Sequence, residues 1–404
     1  MVSFDLGGIA SGLGKLAPGA AQLTYEGLQK KYAGFGSPRA RVTLGGTPFD
    51  SVGKDMVVSD IHVELTSGYE ASAASFRLYD AYDAASGEFF YSKVKKEVLL
   101  GNSAVLELGY LGTLETVFVG FISGVAFGFE PGGLPYIEVT AMDVKGLMMG
   151  GSYAAQLTAA TYSGAVKEVL RRTGEGRLQH LGGITQPPAV SNTPDAEAPP
   201  PAGRSSPLTV EMVNESDYEF VVRAAKRYNF EFFVDRGKAL FRPAKSDESL
   251  LIKMGSRTGL QSFHIEYSVT GVVGKIEARA MDPGSGKVIS ASGKNNNKIS
   301  TGSKAKQLVG PGAKVYVDAS ITSQEEAEAR VASLMEQMSY RLGDLEAGCV
   351  GIPDLVPGRF MEVIGLGAPA DNRFYLTAVT HDFSGDGGFR TRIKGCTAQL
   401  KTGF

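Results

Sequence analysis

Between Arg41 and Met149 the apolar residues fall largely on alternate positions, in one short run after another. In VVSDIHVEL, Val58, Ile61, Val63 and Leu65 mark the apolar positions. SASFRLYDA, SAVLELGYL, ETVFVGFISGVAFGF and YIEVTAMDV follow, each set off by turn residues. A period of two places successive side chains on opposite faces, so each run reads as a strand. Several short strands at this spacing predict a barrel or a sandwich. The 52 glycines and the absence of Trp suit such a turn-rich β protein.

At 404 residues the chain exceeds one ordinary core, and two or three domains are expected. An apolar content of 43% with 21% charged residues places it among soluble globular proteins. No apolar run approaches the ~18–20 residues of a bilayer span. The N-terminus, MVSFDLGGIASGLGKLAPGA, lacks a basic leader and a continuous apolar block, which argues against a secretory signal. A net charge of −2 argues against nucleic acid as the main partner. Cys349 and Cys396 suit a reducing compartment. They could face each other across neighbouring strands, although two buried free thiols is the favoured reading.

Composition divides the chain into four parts. Residues 1–36 read as a Gly-rich arm that orders against a partner or not at all. Residues 37–155 form the first β region, in which SKVKKEV (Ser92–Val98) reads as a short inserted helix. Residues 156–245 form a small α/β domain. It starts with the helix TYSGAVKEVLRR, whose Ala165, Val166, Val169 and Leu170 share one face, and carries a Pro-rich insertion at 184–208. Residues 187–207 hold 7 of the 18 prolines and almost no large apolar side chain, so that stretch is expected to be extended or mobile. Residues 246–404 form a second β region, with a basic polar loop at 282–312 (Lys287, Lys294, Lys298, Lys304, Lys306) and a helix at 323–341. Ser323 and Glu326 make a capping box for that helix, and its Met335 and Met338 read as core filling.

The best-specified element is ESDYEFVVRAAKRYNFEFFVDRGKALF, Glu215–Phe241. Ser216 and Glu219 fit a capping box, and Phe220, Val221, Ala224, Ala225 and Tyr228 make one apolar stripe. Asn229 can end the helix in a left-handed conformation. Phe230, Phe232 and Val234 then alternate as a strand, and Asp235-Arg236-Gly237-Lys238 turns the chain back. Phe233 breaks the alternation, so both faces of this strand are expected to be covered. The unit packs; it carries no chemistry.

Nothing in the sequence assigns a catalytic, cofactor-binding or metal-ligating residue. DPGSGKV departs from a phosphate loop, with Met281 where the first Gly belongs and Val288 where Ser or Thr would hold magnesium. His62, His180, His264 and His381 are scattered, none at metal-ligand spacing. His381, near Asp382 and Asp386, is explained by a strand end and an Asx-Gly turn. There is no G-x-S-x-G elbow. The lysine-bearing loop has no aromatic residues for base stacking and reads as solvated.

Three stretches give the order of segments a resemblance. NESDYEFVVRAAKRYNFEFFV, VVGKIEARAMDPGSGKVI and DLVPGRFMEVIGLGAPADNRFYLTAVTHDFSGDGGFRTRI resemble, in that order, motifs of the phage late control protein D family. These are the baseplate hub proteins of contractile tails, and the chain is similar in the same way to the hub portion of type VI secretion spike proteins. The resemblance covers most of residues 37–404; the Gly-rich arm and the Pro-rich insertion depart from it. It implies a mainly β fold with α+β insertions: two similar, tail-tube-like β-barrels bridged by a small α/β domain. It also implies a structural, non-enzymatic, cofactor-free role. The chain would form a homotrimer whose pseudo-sixfold ring joins the tail tube or a tube-initiator protein to a separate spike, among baseplate wedge components. Assembly would take place in the cytoplasm of the producing bacterium. The competing expectation is a tail-associated cell-wall hydrolase or glycan-binding module.

Overall fold

The computed structural model describes residues 22–52, 56–89, 96–176, 186–196, 210–282, 285–295, 302–319, 321 and 323–400. Helix α1 (Tyr25–Lys31) leads into β1 (Pro38–Leu44), β2 (Thr47–Asp50), β3 (Val57–Thr66), β4 (Ala73–Tyr79), β5 (Tyr82–Asp83) and β6 (Glu88–Phe89). Then come β7 (Ser103–Tyr110), β8 (Thr113–Gly128) and β9 (Tyr136–Met142). The α/β piece holds α2 (Val144–Met148), β10 (Tyr153–Gln156), α3 (Tyr162–Gly176), β11 (Gln186–Val190) and β12 (Glu211–Glu215). It ends with α4 (Asp217–Tyr228), β13 (Phe230–Asp235) and β14 (Lys238–Pro243). After β15 (Leu250–Met254) and β16 (Leu260–Tyr267) follow β17 (Lys275–Met281), β18 (Val288–Lys294), α5 (Gly302–Val309), β19 (Ala313–Val317) and α6 (Gln324–Ser339). The chain closes with β20 (Gly343–Val350), β21 (Phe360–Val363), β22 (Arg373–Ser384) and β23 (Gly388–Thr397).

The fold is mainly β, as expected, but its two β regions are joined. A single 13-stranded sheet runs β16-β20-β23-β22-β3-β4-β9-β8-β7-β1-β2, with β21 and β15 branching from β22. Among the described residues no closed barrel is present. The reason lies in β22. Its second half does not return to β16 of its own region, but pairs antiparallel with β3 from Ala378↔Thr66 to Phe383↔Ile61. One apolar core, including Val42, Phe76, Leu106, Ile252, Phe374 and Val379, underlies both regions.

Within that sheet one topology occurs twice. In chain order the strands β3, β4, β8 and β9 lie side by side as β3-β4-β9-β8; β16, β20, β22 and β23 lie as β16-β20-β23-β22. In each unit the last strand in that order is long and pairs with different strands along its length. The first half of β8 pairs with β7, and Arg373–Tyr375 of β22 pair with β21. Each carries a bulge before its second half, between Ile122 and Gly124 in β8 and between Leu376 and Ala378 in β22.

Strand β3 shows how the sequence writes this. Val58, Ile61, Val63 and Leu65 are all buried, as the alternation predicts. Val58 and Ile61 are three apart, not two. A bulge between Ser59 and His62, with Asp60 at φ 51°, absorbs the extra residue so that both face inward.

Several local expectations change. The later part of the arm packs on its own chain: Leu23 N donates to Leu251 O at 2.7 Å, and Leu28 and Tyr32 are buried. The Tyr32 hydroxyl donates to Asp354 at 2.5 Å, while Lys31 lies 2.7 Å from both Asp354 and Glu115. Residues 1–21 are outside the described residues. In SKVKKEV, Lys96–Val98 turn rather than coil, and the rest lies outside them. Within the Pro-rich stretch, Gln186–Val190 is a strand parallel to β14. Prolines are tolerated there because β11 is an edge strand. The polar loop at 282–312 contains β18 and α5. VVGKIEARAM, expected within the second barrel, does not join the large sheet: β17 sits in a separate three-stranded sheet, β18-β17-β19, packed on α6.

Candidate assembly surface

The helix–hairpin unit from Glu215 to Phe241 forms as its sequence predicts. Ser216 Oγ accepts from Glu219 N at 3.1 Å, and Glu219 Oε2 accepts from Ser216 N at 2.7 Å. Asn229 closes α4 in the left-handed region at φ 56°. Phe220, Val221, Ala224 and Ala225 are buried against α3, β13 and β14. Phe232 and Phe233 are both buried, on opposite faces of β13, so this strand is covered on both sides.

What the unit packs against is the loop joining β3 to β4. The Tyr69 hydroxyl donates to Phe230 O, and the Tyr218 hydroxyl donates to Tyr69 O, each at 3.1 Å. Lys145, fully buried, donates its ammonium to the carbonyls of Gly68 and Glu70. Burial lowers its pKa, and the neighbouring Asp143 carboxylate acts against that shift. A second clamp reaches the other β region. Glu231, almost buried in β13, accepts from Arg242 Nε at 2.6 Å and from the Tyr375 hydroxyl of β22. Arg242 Nη2 also donates to Gly358 O at 2.6 Å. Burial pushes the Glu231 carboxyl up, and the Arg242 guanidinium and the Tyr375 hydroxyl pull it back. The unit therefore ties both β regions together, which is the work its lack of chemistry left open.

The eight strands from β16 to β8 bury one face in the core and leave the other polar. On the polar face lie His62 and Glu64 of β3, Arg77 of β4, Glu138 and Thr140 of β9, Asp344 and Glu346 of β20, Asp382 of β22, and Arg390, Arg392 and Lys394 of β23. Cross-strand polar contacts knit it: a His62–Asp382 hydrogen bond at 2.7 Å, and the ion pairs Arg392–Asp382 at 2.9 Å, Arg77–Glu138 at 3.0 Å and Lys394–Glu346 at 3.1 Å. Such exposed pairs are each worth ~0–1 kcal/mol. Their order is more telling than their energy, because it gives one continuous wet face across strands from both ends of the chain.

The residues singled out in the sequence are dispersed. His62 pairs with Asp382, and exposed His264 lies 4.0 Å from Glu266. His180 is outside the described residues. His381 is fully buried, its Nδ1 3.0 Å from Thr391 Oγ1, and burial pushes its pKa down to about 4. Thr391 Oγ1 also accepts from Ile352 N at 3.0 Å. Cys349 and Cys396 are free, and adjacent strands hold them out of register: Cys349 faces Thr391, and Cys396 faces Asp344. In DPGSGKV, between β17 and β18, Gly286 N donates to Asp282 O at 2.8 Å, and Pro283 and Gly284 are outside the described residues. Sequence reasoning missed Glu231, Lys145 and the polar face. The hairpin register did hold a signal for the first, because 231 and 242 are equally far from the turn at Arg236-Gly237.

No family model matches the sequence, and no curated protein matches it. Solved structures do. A tail protein from Neisseria meningitidis MC58 matches with TM-score 0.61 at 12% identity, covering 89% of this chain and 97% of that one. The 43 kDa tail protein of prophage MuSo2 from Shewanella oneidensis matches with TM-score 0.63 at 14% identity, covering 89% and 98%. The chain has the fold of phage tail proteins. A component of the E. coli type VI secretion system, itself structurally similar to bacteriophage T4 tail proteins, shares it with TM-score 0.52 at 13% identity, covering 90% and 79%.

Proposed function

We propose that the chain is a structural baseplate hub of a contractile phage tail or tail-like injection particle. Three copies close into a ring, each supplying two similar barrel-like units bridged by the α/β piece. The ring joins a sixfold tail tube, or its initiator, to a separate threefold spike, with baseplate wedge components around it. It is assembled in the cytoplasm of the producing bacterium and becomes part of the particle. The observation that carries this reading is the repeated topology, β3-β4-β9-β8 and β16-β20-β23-β22, in one chain. Two like units per chain give a threefold ring six like positions, which is what a junction between sixfold and threefold neighbours needs. The continuous polar face supports the reading as the wall of a water-filled passage, and the bracing clamps support it as a rigid part. The likeness to tail proteins and to a secretion-system component points the same way.

Light scattering and negative-stain averaging of the purified protein test the proposal. The expected result is a particle of three times 42.7 kDa with a pseudo-sixfold outline. A chain that stays monomeric both alone and with its co-expressed spike overturns it.

A further inference from the structure

The small sheet β18-β17-β19 ends at β18, and among the described residues no strand lies beyond it. The register shows which groups that edge presents. Asn295 N donates to Gly274 O at 2.9 Å, and Gly293, Ala291 and Ile289 follow at every second position, opposite Ile276, Ala278 and Ala280. In an antiparallel ladder these residues turn their N–H and C=O groups to β17, so those of Ser290, Ser292 and Lys294 point outward. The Ser290 carbonyl is occupied, accepting from Gln324 Nε2 of α6 at 3.1 Å. Ser292 and Lys294 line a groove of about 580 Å³.

Helix α6 forms the other wall of that groove. It runs alongside β18 in the same direction: Gln324 reaches Ser290, Val331 packs on Gly293, and Ser339 Oγ lies 3.3 Å from Asn295 Oδ1. A Cβ on Gly293 would stand 2.8 Å from Val331 Cγ1, so the helix sits directly on the strand there. Val331 and Met335 are buried, while Glu328, Ala332, Glu336 and Tyr340 form a second row along the groove. Two contacts to α4 fix the helix in place, Arg227–Glu326 at 3.2 Å and Arg330 Nη1 donating to Lys226 O at 2.8 Å. An open strand edge beside a helix can take up an extended peptide as one more strand, the main chain giving affinity and alternate side chains specificity.

The second row of α6 says what such a strand must carry. Glu328, Ala332 and Glu336 are four residues apart, about 6 Å along a helix. Side chains on one face of a strand recur every ~6.4–6.8 Å, so three successive ones meet these three in turn. Glu328 is exposed and accepts from Gln324 Nε2 at 3.1 Å, and Glu336 accepts from Asn229 Nδ2. Among the described residues neither carboxylate has a cationic partner. Lys294 shares the exposed positions of β18 with Ser290 and Ser292, on the face turned from α6. The residues after β23 leave the groove open: Ala398 and Gln399 form one end of it, and Leu400 packs on Val272, Val309 and Leu342.

We infer that this groove binds an extended segment of a second protein as a fourth strand of the small sheet. The segment carries Lys or Arg at two positions four residues apart, facing Glu328 and Glu336, with a small residue midway to pass Ala332. The inference goes beyond the ring reading and holds for a single chain.

The test is fluorescence anisotropy of the full chain with the labelled, end-capped probe Ser-Lys-Val-Ala-Val-Lys-Ser, against the same peptide with Glu for both Lys. The lysine probe should bind saturably, the glutamate probe far more weakly, and deuterium uptake across 288–294 should slow on binding. Glu328→Lys should weaken the lysine probe about tenfold and strengthen the glutamate one. Ala332→Arg should fill the groove and abolish binding of both. Both substitutions lie at exposed helix positions and should leave the circular dichroism unchanged. No saturable binding, equal binding of the two probes, or binding that survives Ala332→Arg overturns the inference. Slow uptake across 288–294 without any peptide would also overturn it, because the edge would already be paired: within the chain if concentration has no effect, by a second copy if protection rises with concentration.

Discussion

Glu231 and Arg242 face each other across the β13–β14 hairpin, Arg242 Nε 2.6 Å from Glu231 Oε1, with both side chains close to fully buried. Removing one partner strands a charge inside the protein. Arg242→Ala is expected to destabilise the chain by about 3–5 kcal/mol. The double replacement Glu231→Met, Arg242→Met removes both charges and should recover most of that loss. Urea unfolding of the three proteins checks it, and a double variant as weak as the single one contradicts it.

His381 gives a pH dependence with a definite sign. Its folded pKa, about 4, lies below the ordinary 6.5, so between those values the unfolded chain binds a proton that the folded chain refuses. The imidazole therefore costs nothing above pH 6.5, and stability falls as pH drops from 6.5 towards 4, by up to about 3 kcal/mol. His381→Gln should lose correspondingly less than the parent over the same window. Denaturation midpoints at pH 7 and pH 4.5 provide the comparison; equal losses would show that His381 does not titrate in this way.

Gly358, in the PGR turn, adopts φ +82°, and a Cβ there would stand 2.6 Å from Phe233 Cζ and 3.2 Å from Arg242 Nη2. Gly358→Ala combines backbone strain with overpacking and is expected to cost about 1–3 kcal/mol or more. Because Phe233 and Arg242 belong to the brace, hydrogen exchange in the 230–243 hairpin should quicken in the same variant. An unchanged exchange pattern would detach that turn from the brace.

Burial pushes the Cys349 thiol up to about 12 and the Cys396 thiol up to about 11. Thiolate is the reactive form, so neither thiol should react quickly with an aromatic disulfide reagent in the native protein at neutral pH. Two equivalents per chain should appear on unfolding. Fast native release of one equivalent would contradict this for that thiol.

Where structure is set by near neighbours, it was legible. The alternation in β3, the caps of α4 and the covered strand around Phe233 all follow from residues within a few positions of each other. Ser323 likewise caps α6 by accepting from Glu326 N at 3.2 Å, and Met335 and Met338 are buried. What was not legible was which strand meets which. The β22–β3 pairing joins residues some three hundred positions apart, and a strand's own pattern does not name its neighbour. For the same reason β17, as strand-like as any, was expected in a barrel and lies in the small sheet on α6. The echo between Ile61–Leu65 and Phe263–Tyr267 was the available clue to the repeat. It spans only five residues, whose shared features, an apolar alternation and His-x-Glu, are common in half-buried strands. For the polar face, the signal was each strand's outward residues, and these acquire meaning only once the strands are set in order.

The two units differ most in what links their first two strands. Residues 67–72 join β3 to β4, whereas residues 268–342, with the small sheet and α6, join β16 to β20. In a ring of three chains the floor would look nearly the same every sixty degrees, while the bulky link would recur only every hundred and twenty. A neighbour resting on the floor would count six seats. One that also touched the links would find every second seat taken, and would count three.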